Sequence, residues 1–306
     1  MKSYRRRIYL IFLPIIGFTP QAFPQDCDLR QRENLNIEVQ VQGRTIALIG
    51  WEHPLQATYE PLARTLENLP QMSCSSARLA LQNHVRNQSE DLKQAERVLR
   101  ILRETHRRTP LAIIGLEMTQ NEILSEMRGR DKTQQALHDF LLRCPSIEAP
   151  LVQQFLLLTH GPEYVFHHPS VEQIALEDED LKIQNAHQIE AANREGLFDF
   201  ENPRITTTGR RAITEIRAAV ARQQQPQERL IDIVVSYEPN RAQRQRLREG
   251  VVESIELWKI VIAGAYARNM AIIEGILTKP GNMAVPIGSA HLNHLAQELQ
   301  RRCRAL

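Results

Sequence analysis

Apolar and polar residues alternate from Leu35 to Val41, break at Gln42-Gly43, and give way to the apolar run Thr45 to Ile49. A period of two, a two-residue turn and an uninterrupted apolar segment predict a β-hairpin leading into a buried strand that ends at Gly50. Four further short apolar runs lack the helical period and are predicted as strands: Leu111 to Leu116, Val171 to Leu176, Leu230 to Val235 and Met283 to Ile287.

Helical patterns fill the gaps. They cover Tyr59 to Leu69 and a long polar helix from Ala77 to Arg108, whose apolar stripe is Leu79, Leu92, Ala95, Val98, Leu99 and Leu102. Amphipathic pieces follow at Thr133 to Arg143, Leu151 to Thr159, Leu181 to Asn193 and Thr206 to Gln224. Alternating strands and helices predict an α/β fold, a mostly parallel or mixed central sheet covered by helices. Residues 119–170 follow the second buried strand without a strand of their own and read as a helical insertion in a single domain over 26–306.

The run Val251 to Leu277 is largely apolar yet carries Glu253, Glu256, Lys259, Arg268 and Glu274. These ionisable groups argue against a membrane span and for a helix buried within the protein. On it, Arg268 and Asn269 fall among small and apolar neighbours, where a guanidinium needs a carboxylate or an anionic ligand.

The amino terminus changes the charge balance. Lys2 and Arg5 to Arg7 precede an uncharged run from Ile8 to Phe18, the layout of a secretory signal peptide over residues 1–25, with cleavage expected between Ala22 and Gln25. An eleven-residue apolar core spans only about 16 Å as a helix, short of the roughly 30 Å of bilayer hydrocarbon. Loss of its four cations takes the formal charge from +2 to −2 and removes any argument for nucleic acid. Export, periplasmic or secreted, would carry Cys27, Cys74, Cys144 and Cys303 into an oxidising compartment where up to two disulfides persist. Three pairings are open; Cys27 with Cys74 is the expected one.

Polar residues gather where the predicted strands end. The first runs into Gly50-Trp51-Glu52-His53, the second into Glu117, the third into Glu177-Asp178 and the last into Gly288-Ser289-Ala290-His291. Ligands of open α/β sheets bind outside the carboxyl ends of the strands, so the two Gly-x-x-His turns are expected to share one site. His53 and His291 with Glu117 and Glu177 make a nitrogen and oxygen donor set suited to zinc, manganese or cobalt, and Glu52 is a further carboxylate at the same place. Such an ion activates water for attack on an amide or ester carbonyl, with Glu117 as ligand or general base and Arg268 and Asn269 stabilising the oxyanion. Structural alternatives stand beside these: a Glu117–Arg268 ion pair, a solvated helix start at Glu177 to Asp180, and a plain loop at His167-His168.

In that order, Gly50-x-x-His53, Glu117, Arg268-Asn269-Met270-Ala271 and Gly288-x-x-His291-Leu292 resemble the superfamily of TraB/PrgY pheromone-shutdown proteins, Tiki proteases, GumN-like exported proteins, erythromycin esterases and ChaN haem-binding lipoproteins. The resemblance spans roughly Thr45 to Leu299. It implies metal-dependent peptide hydrolysis in the Tiki branch, lactone hydrolysis through His and Glu in the esterase branch, and haem binding in the ChaN branch. Trp51 follows the first glycine where the last two branches usually carry Glu, which moves the reading towards Tiki. Two functions are therefore expected: an exported metal-dependent hydrolase of peptides or small esters with no membrane span after signal cleavage, or a non-catalytic binder of a peptide or haem.

Overall fold

The alternating segment forms the hairpin its pattern predicts. In the computed structural model, which describes residues 27–33, 35–51, 68–195 and 198–305, β2 (Asn36–Val41) pairs antiparallel with β3 (Arg44–Trp51). The two-residue turn has positive φ at both positions, 51° at Gln42 and 75° at Gly43, a twist that suits a tight hairpin. An additional strand, β1 (Leu29–Glu33), extends the antiparallel edge. With β4 (Ile113–Leu116), β5 (Glu172–Ala175) and β6 (Met283–Gly288), the sheet order is β1-β2-β3-β6-β4-β5. β3, β6, β4 and β5 run parallel, so the fold is α/β with a mixed, mostly parallel sheet, as expected.

The helices in chain order are α1 (Cys74–Asn87), α2 (Ser89–Arg108), α3 (Gln120–Arg143), α4 (Ala149–His160), α5 (Pro162–Phe166), α6 (Glu179–Glu195), α7 (Thr207–Ala221), α8 (Glu228–Val235), α9 (Arg241–Thr278) and α10 (Ser289–Ala305). The chain divides into two compact units. The sheet unit comprises the described residues of Gln21–Glu177 and Ile272–Leu306, and the helical unit contains Asp178–Ala271. In the sheet unit Ile49, Ile114 and Ala284 of the strands join Leu102, Phe140 and Phe155 of the helices in one core. The helical unit has its own core, built from Ile213, Ile216, Ile231, Val234, Val251 and Ile255. The stretch 119–170 is helical, made of α3, α4 and α5, and residues of all three lie in the sheet unit's core.

Several expectations are corrected. Leu230 to Val235 is not a strand but the body of α8. Its buried residues come in pairs four apart, Leu230 and Ile231, then Val234 and Val235, which is one helical face read in a window too short to show its period. The polar helix expected from Ala77 to Arg108 is two helices: Ser73 caps α1 by accepting from Ser76 N, and the chain breaks at Gln88. Of the helix expected at Tyr59 to Leu69, all but Asn68 and Leu69 lie outside the described residues, as does the signal peptide.

The apolar run belongs to α9, which starts ten residues earlier and, at 38 residues, is about 57 Å long. By length and composition it could cross a membrane, with an 18-residue window of mean hydropathy 1.4. Only 22% of that window is buried, so the expected enclosure within the protein is corrected too. Mid-helix, small residues meet polar ones: a Cβ at Gly264 would lie 2.2 Å from Gln188 Oε1 and 2.5 Å from Asn185 Nδ2 of α6. At the far end Arg44 donates to the carbonyls of Lys279 and Leu277, satisfying groups that a helix terminus leaves open. Burial pushes the pKa of that guanidinium down.

The cysteines pair as Cys27–Cys303 and Cys74–Cys144, with Cα separations of 5.8 Å and 5.4 Å, and not as Cys27–Cys74. The reason is tertiary: α10 packs on β2 and β3, which brings its carboxyl end to the start of the edge strand. Two disulfides fit an oxidising compartment. Non-reducing peptide mapping should recover these two cross-linked pairs. Replacing Cys27 and Cys303 by Ser should lower the unfolding free energy by about 2–5 kcal/mol in urea titration.

Candidate functional site

The site forms at the carboxyl edge of the parallel strands. β3 and β6 are in register from Ile46↔Met283 to Trp51↔Gly288, so Trp51 of the first Gly-x-x-His segment stands beside Gly288, the first residue of the second. β4 lies on the other side of β6, with Ile113 beside Met283, and β5 follows with Leu116 beside Ala175. Glu117 and Glu177 thus stand on the same edge.

Glu117 is held from both directions. Only Met118 separates it from Thr119, the N-cap of α3, where the Thr119 hydroxyl accepts from Glu122 N and the Glu122 carboxylate accepts from Thr119 N. That reciprocal box fixes where the helix begins. Glu117 Oε2 accepts a 2.7 Å hydrogen bond from the Gly288 N–H. Gly288 ends β6 and α10 starts at the next residue, so the carboxylate sits where a helix amino terminus favours negative charge. Its other oxygen, Oε1, lies 3.5 Å from His291 Nε2. Both side chains are largely sheltered, 9% and 19% exposed.

Gly50, which opens the first turn, packs directly on the helix that carries the second. A Cβ at Gly50 would lie 3.0 Å from Leu292 Cδ2 and 3.1 Å from Leu35 Cβ, so glycine here serves the close approach of α10. Leu292 immediately follows His291, and with Leu295 and Leu299 it forms the buried face of α10. Gly50 N donates to Leu35 O at 2.7 Å.

Of the residues singled out in the sequence, the structure brings together Glu117, His291 and the Gly288 backbone. Glu177 is buried, and its N–H donates to Met118 O at 3.1 Å, next to Glu117 in the chain. Glu52 and His53 lie outside the described residues. Among the described residues no group of three or more His, Cys, Asp or Glu is arranged to hold a metal. Arg268 and Asn269 belong to the helical unit, where Arg268 Nη1 donates to Asn185 Oδ1 at 3.3 Å and Asn185 Nδ2 donates to Val261 O at 3.2 Å. His168 keeps its loop reading: its Nδ1 contacts Ser170 Oγ at 2.8 Å, and its ring leans on His106 with centroids 4.5 Å apart.

Two residues went unread in the sequence. His294 stands one turn beyond His291 on α10; burial lowers its pKa, Glu298 opposes this and His291 adds to it. The His-x-x-His spacing within a helix was the available signal. The other, Arg97 of α2, donates to Gly50 O, and nothing in its charged helix marked it out. No family model, no curated protein and no solved structure matches this chain.

Gly50→Ala should cost about 1–3 kcal/mol in urea unfolding, because the added methyl would stand 3.0 Å from Leu292 Cδ2 and 3.1 Å from Leu35 Cβ, closer than ordinary contact. The ion pairs of Glu298 on α10 generate a pH dependence. Hydrogen bonding from Arg301, against some burial and with further help from Arg302, lowers its pKa from 4.5 to about 2. A depressed carboxylate pKa adds stability above the unfolded value, lost as pH falls from about 4.5 towards 2. In urea titrations at several pH values, Glu298→Gln should be less stable than the parent at pH 6 and converge with it near pH 2.

Proposed function

We propose that the protein is an exported hydrolase of peptide or ester bonds that uses a divalent ion held by Glu117 and His291, with His53 as the further ligand. The separation of Glu117 Oε1 and His291 Nε2 carries this reading. At 3.5 Å it is long for a hydrogen bond. It is close to the roughly 3.3 Å that separates two ligands each about 2.05 Å from a tetrahedral ion. One carboxylate oxygen and one imidazole nitrogen are also donors that zinc, manganese and cobalt accept.

The chain's own groups have definite tasks in this reading. The hydrogen bond from Gly288 N–H to Oε2 restrains rotation of the carboxylate and keeps Oε1 turned towards His291 Nε2, the placement in which it would bind the ion or take a proton from water. The same N–H ties Glu117 to the start of α10, so carboxylate and imidazole move as one unit. A bound ion would supply Lewis acidity and activated water. Export is proposed from the amino-terminal basic and apolar segment together with the two disulfides. Arg268 and Glu274 within the apolar part of α9 support the absence of a membrane span. The kinship proposed, with the superfamily of TraB/PrgY and Tiki proteins, rests on the same strand-end residues.

Metal analysis of the disulfide-bonded protein, reconstituted with zinc, manganese or cobalt at neutral pH, tests the reading. Roughly one ion per chain is expected, with affinity at least about tenfold weaker in His291→Ala. A metal-free parent protein after reconstitution would refute it.

A further inference from the structure

We infer that His106 and His168 form a pH-sensitive latch on the joint between α2 and β4, closed while His106 is neutral and released when it takes up a proton. The latch lies at the amino end of β4, the end opposite Glu117, and is independent of the chemistry proposed above.

His106 belongs to the last turn of α2, and the chain then passes through Thr109 and Pro110 to Leu111. The Leu111 N–H donates to His106 Nδ1 at 3.1 Å. A backbone amide can only donate, so this nitrogen carries a lone pair and no proton, and the neutral ring holds its proton on Nε2. Leu111 is buried, where an amide that loses its acceptor is costly. The next residue starts two ladders at once: Ala112 N–H donates to Asn282 O and Ala112 O accepts from Glu172 N–H, each at 2.9 Å. The latch therefore stands where β4 enters the sheet between β6 and β5.

His168 gives the pair its order of protonation. It lies on the loop between α5 and β5, exposed, with its ring centroid 4.5 Å from that of His106 and the planes inclined by 48°. Its Nδ1 is 2.8 Å from Ser170 Oγ, a hydroxyl that can donate to the neutral ring or accept from the charged one. The Ser170 N–H reaches the same nitrogen at a longer 3.4 Å. His168 can thus take a proton and keep its hydroxyl partner. His106 cannot, because a proton on Nδ1 would face the Leu111 donor. It would also set two cations in ring contact, so the imidazoles titrate as a pair.

The surrounding charges keep this sense. Against His106 pack Phe166 of α5, edge-on at 5.6 Å between ring centroids, and the His167-His168 loop. The α5 carboxylate, Glu163, is turned to Gly161, where an added Cβ would lie 2.5 Å from its Oε1, and His160 of α4 leans on Tyr164. On α2 itself Glu104 pairs with Arg100, and Arg108 with Glu38 of β2, while Arg103 and Arg107 are exposed cations. The carboxyl end of α2 favours a cation, but burial and His168 outweigh it and lower the His106 pKa from its ordinary 6.5. A histidine whose pKa folding lowers adds stability above that ordinary value, and the stability is lost as pH falls below it.

Hydrogen exchange at the Leu111 amide tests the latch, read by NMR in the intact disulfide-bonded protein and corrected for the pH dependence of intrinsic exchange. Protection should fall several-fold between pH 8 and pH 5, by no more than the roughly thirtyfold that protonation of a free imidazole allows. His106→Asn offers an amide oxygen near the place of Nδ1, an acceptor that does not titrate, so Leu111 should keep equal protection at both pH values. In His168→Asn the His106 ring should titrate at higher pH than in the parent, because its cationic neighbour is gone. Equal protection of Leu111 at pH 8 and pH 5 in the parent overturns the inference. So does an equal fall in His106→Asn, which would mark general loosening through His84 and His294, whose pKa values burial also lowers. If His106→Asn does not fold, the ring titrations decide, and an unchanged His106 midpoint in His168→Asn refutes the coupled pair.

Discussion

The insertion of β6 between β3 and β4 is the constraint on which the sheet unit depends. Without β6, the amino-terminal hairpin and the β4–β5 pair would present unpaired edges to each other. Met283 stands level with both Ile46 and Ile113, so one residue sets the register on both sides. Met283, Ala284, Val285 and Ile287 are fully buried, as a strand covered by helices on both faces requires. The last strand in the chain thus completes the middle of the sheet, and it brings Gly288 to the side of Trp51.

The polar side chain at the end of β4 is tolerable there because it is tied to backbone. The Glu117 carboxylate would be expensive to shelter by itself. Its hydrogen bond from Gly288 and the adjacent amino terminus of α10 offset that cost and couple β4 to the last helix. Arg44 does the same for the end of α9, and Glu38, nearly buried on β2, accepts from Arg32 and Arg108 at 2.7 Å each. Ionic groups here join elements distant in sequence.

Covalent links reinforce those joints. Cys27–Cys303 ties the start of the edge strand to the last helix, and Cys74–Cys144 ties the start of α1 to the residue that ends α3. The helical unit interrupts the sheet unit between Glu177 and Ile272. The first disulfide therefore closes the sheet unit across an interruption of nearly a hundred residues, where chain entropy favours opening most.

The sequence by itself determined what depends on neighbours along the chain. The hairpin at Gln42-Gly43 follows from alternation and turn chemistry. β4, β5 and β6 follow from short apolar runs, and the polar residues at their ends were legible because strand-end chemistry needs only a strand and the residue after it. Leu230 to Val235 was misread because eight residues hold barely two helical turns, and the break at Gln88 has no glycine or proline to announce it. The tertiary structure alone decided what depends on partners far apart in sequence. It set the place of β6 in the sheet, the pairing of the four cysteines, and the contacts of Arg97 with Gly50 and of Arg268 with Asn185. The physical reason is that local periodicity records which face of an element is buried. It does not record against what, and that choice is made only when all the buried faces are packed at once.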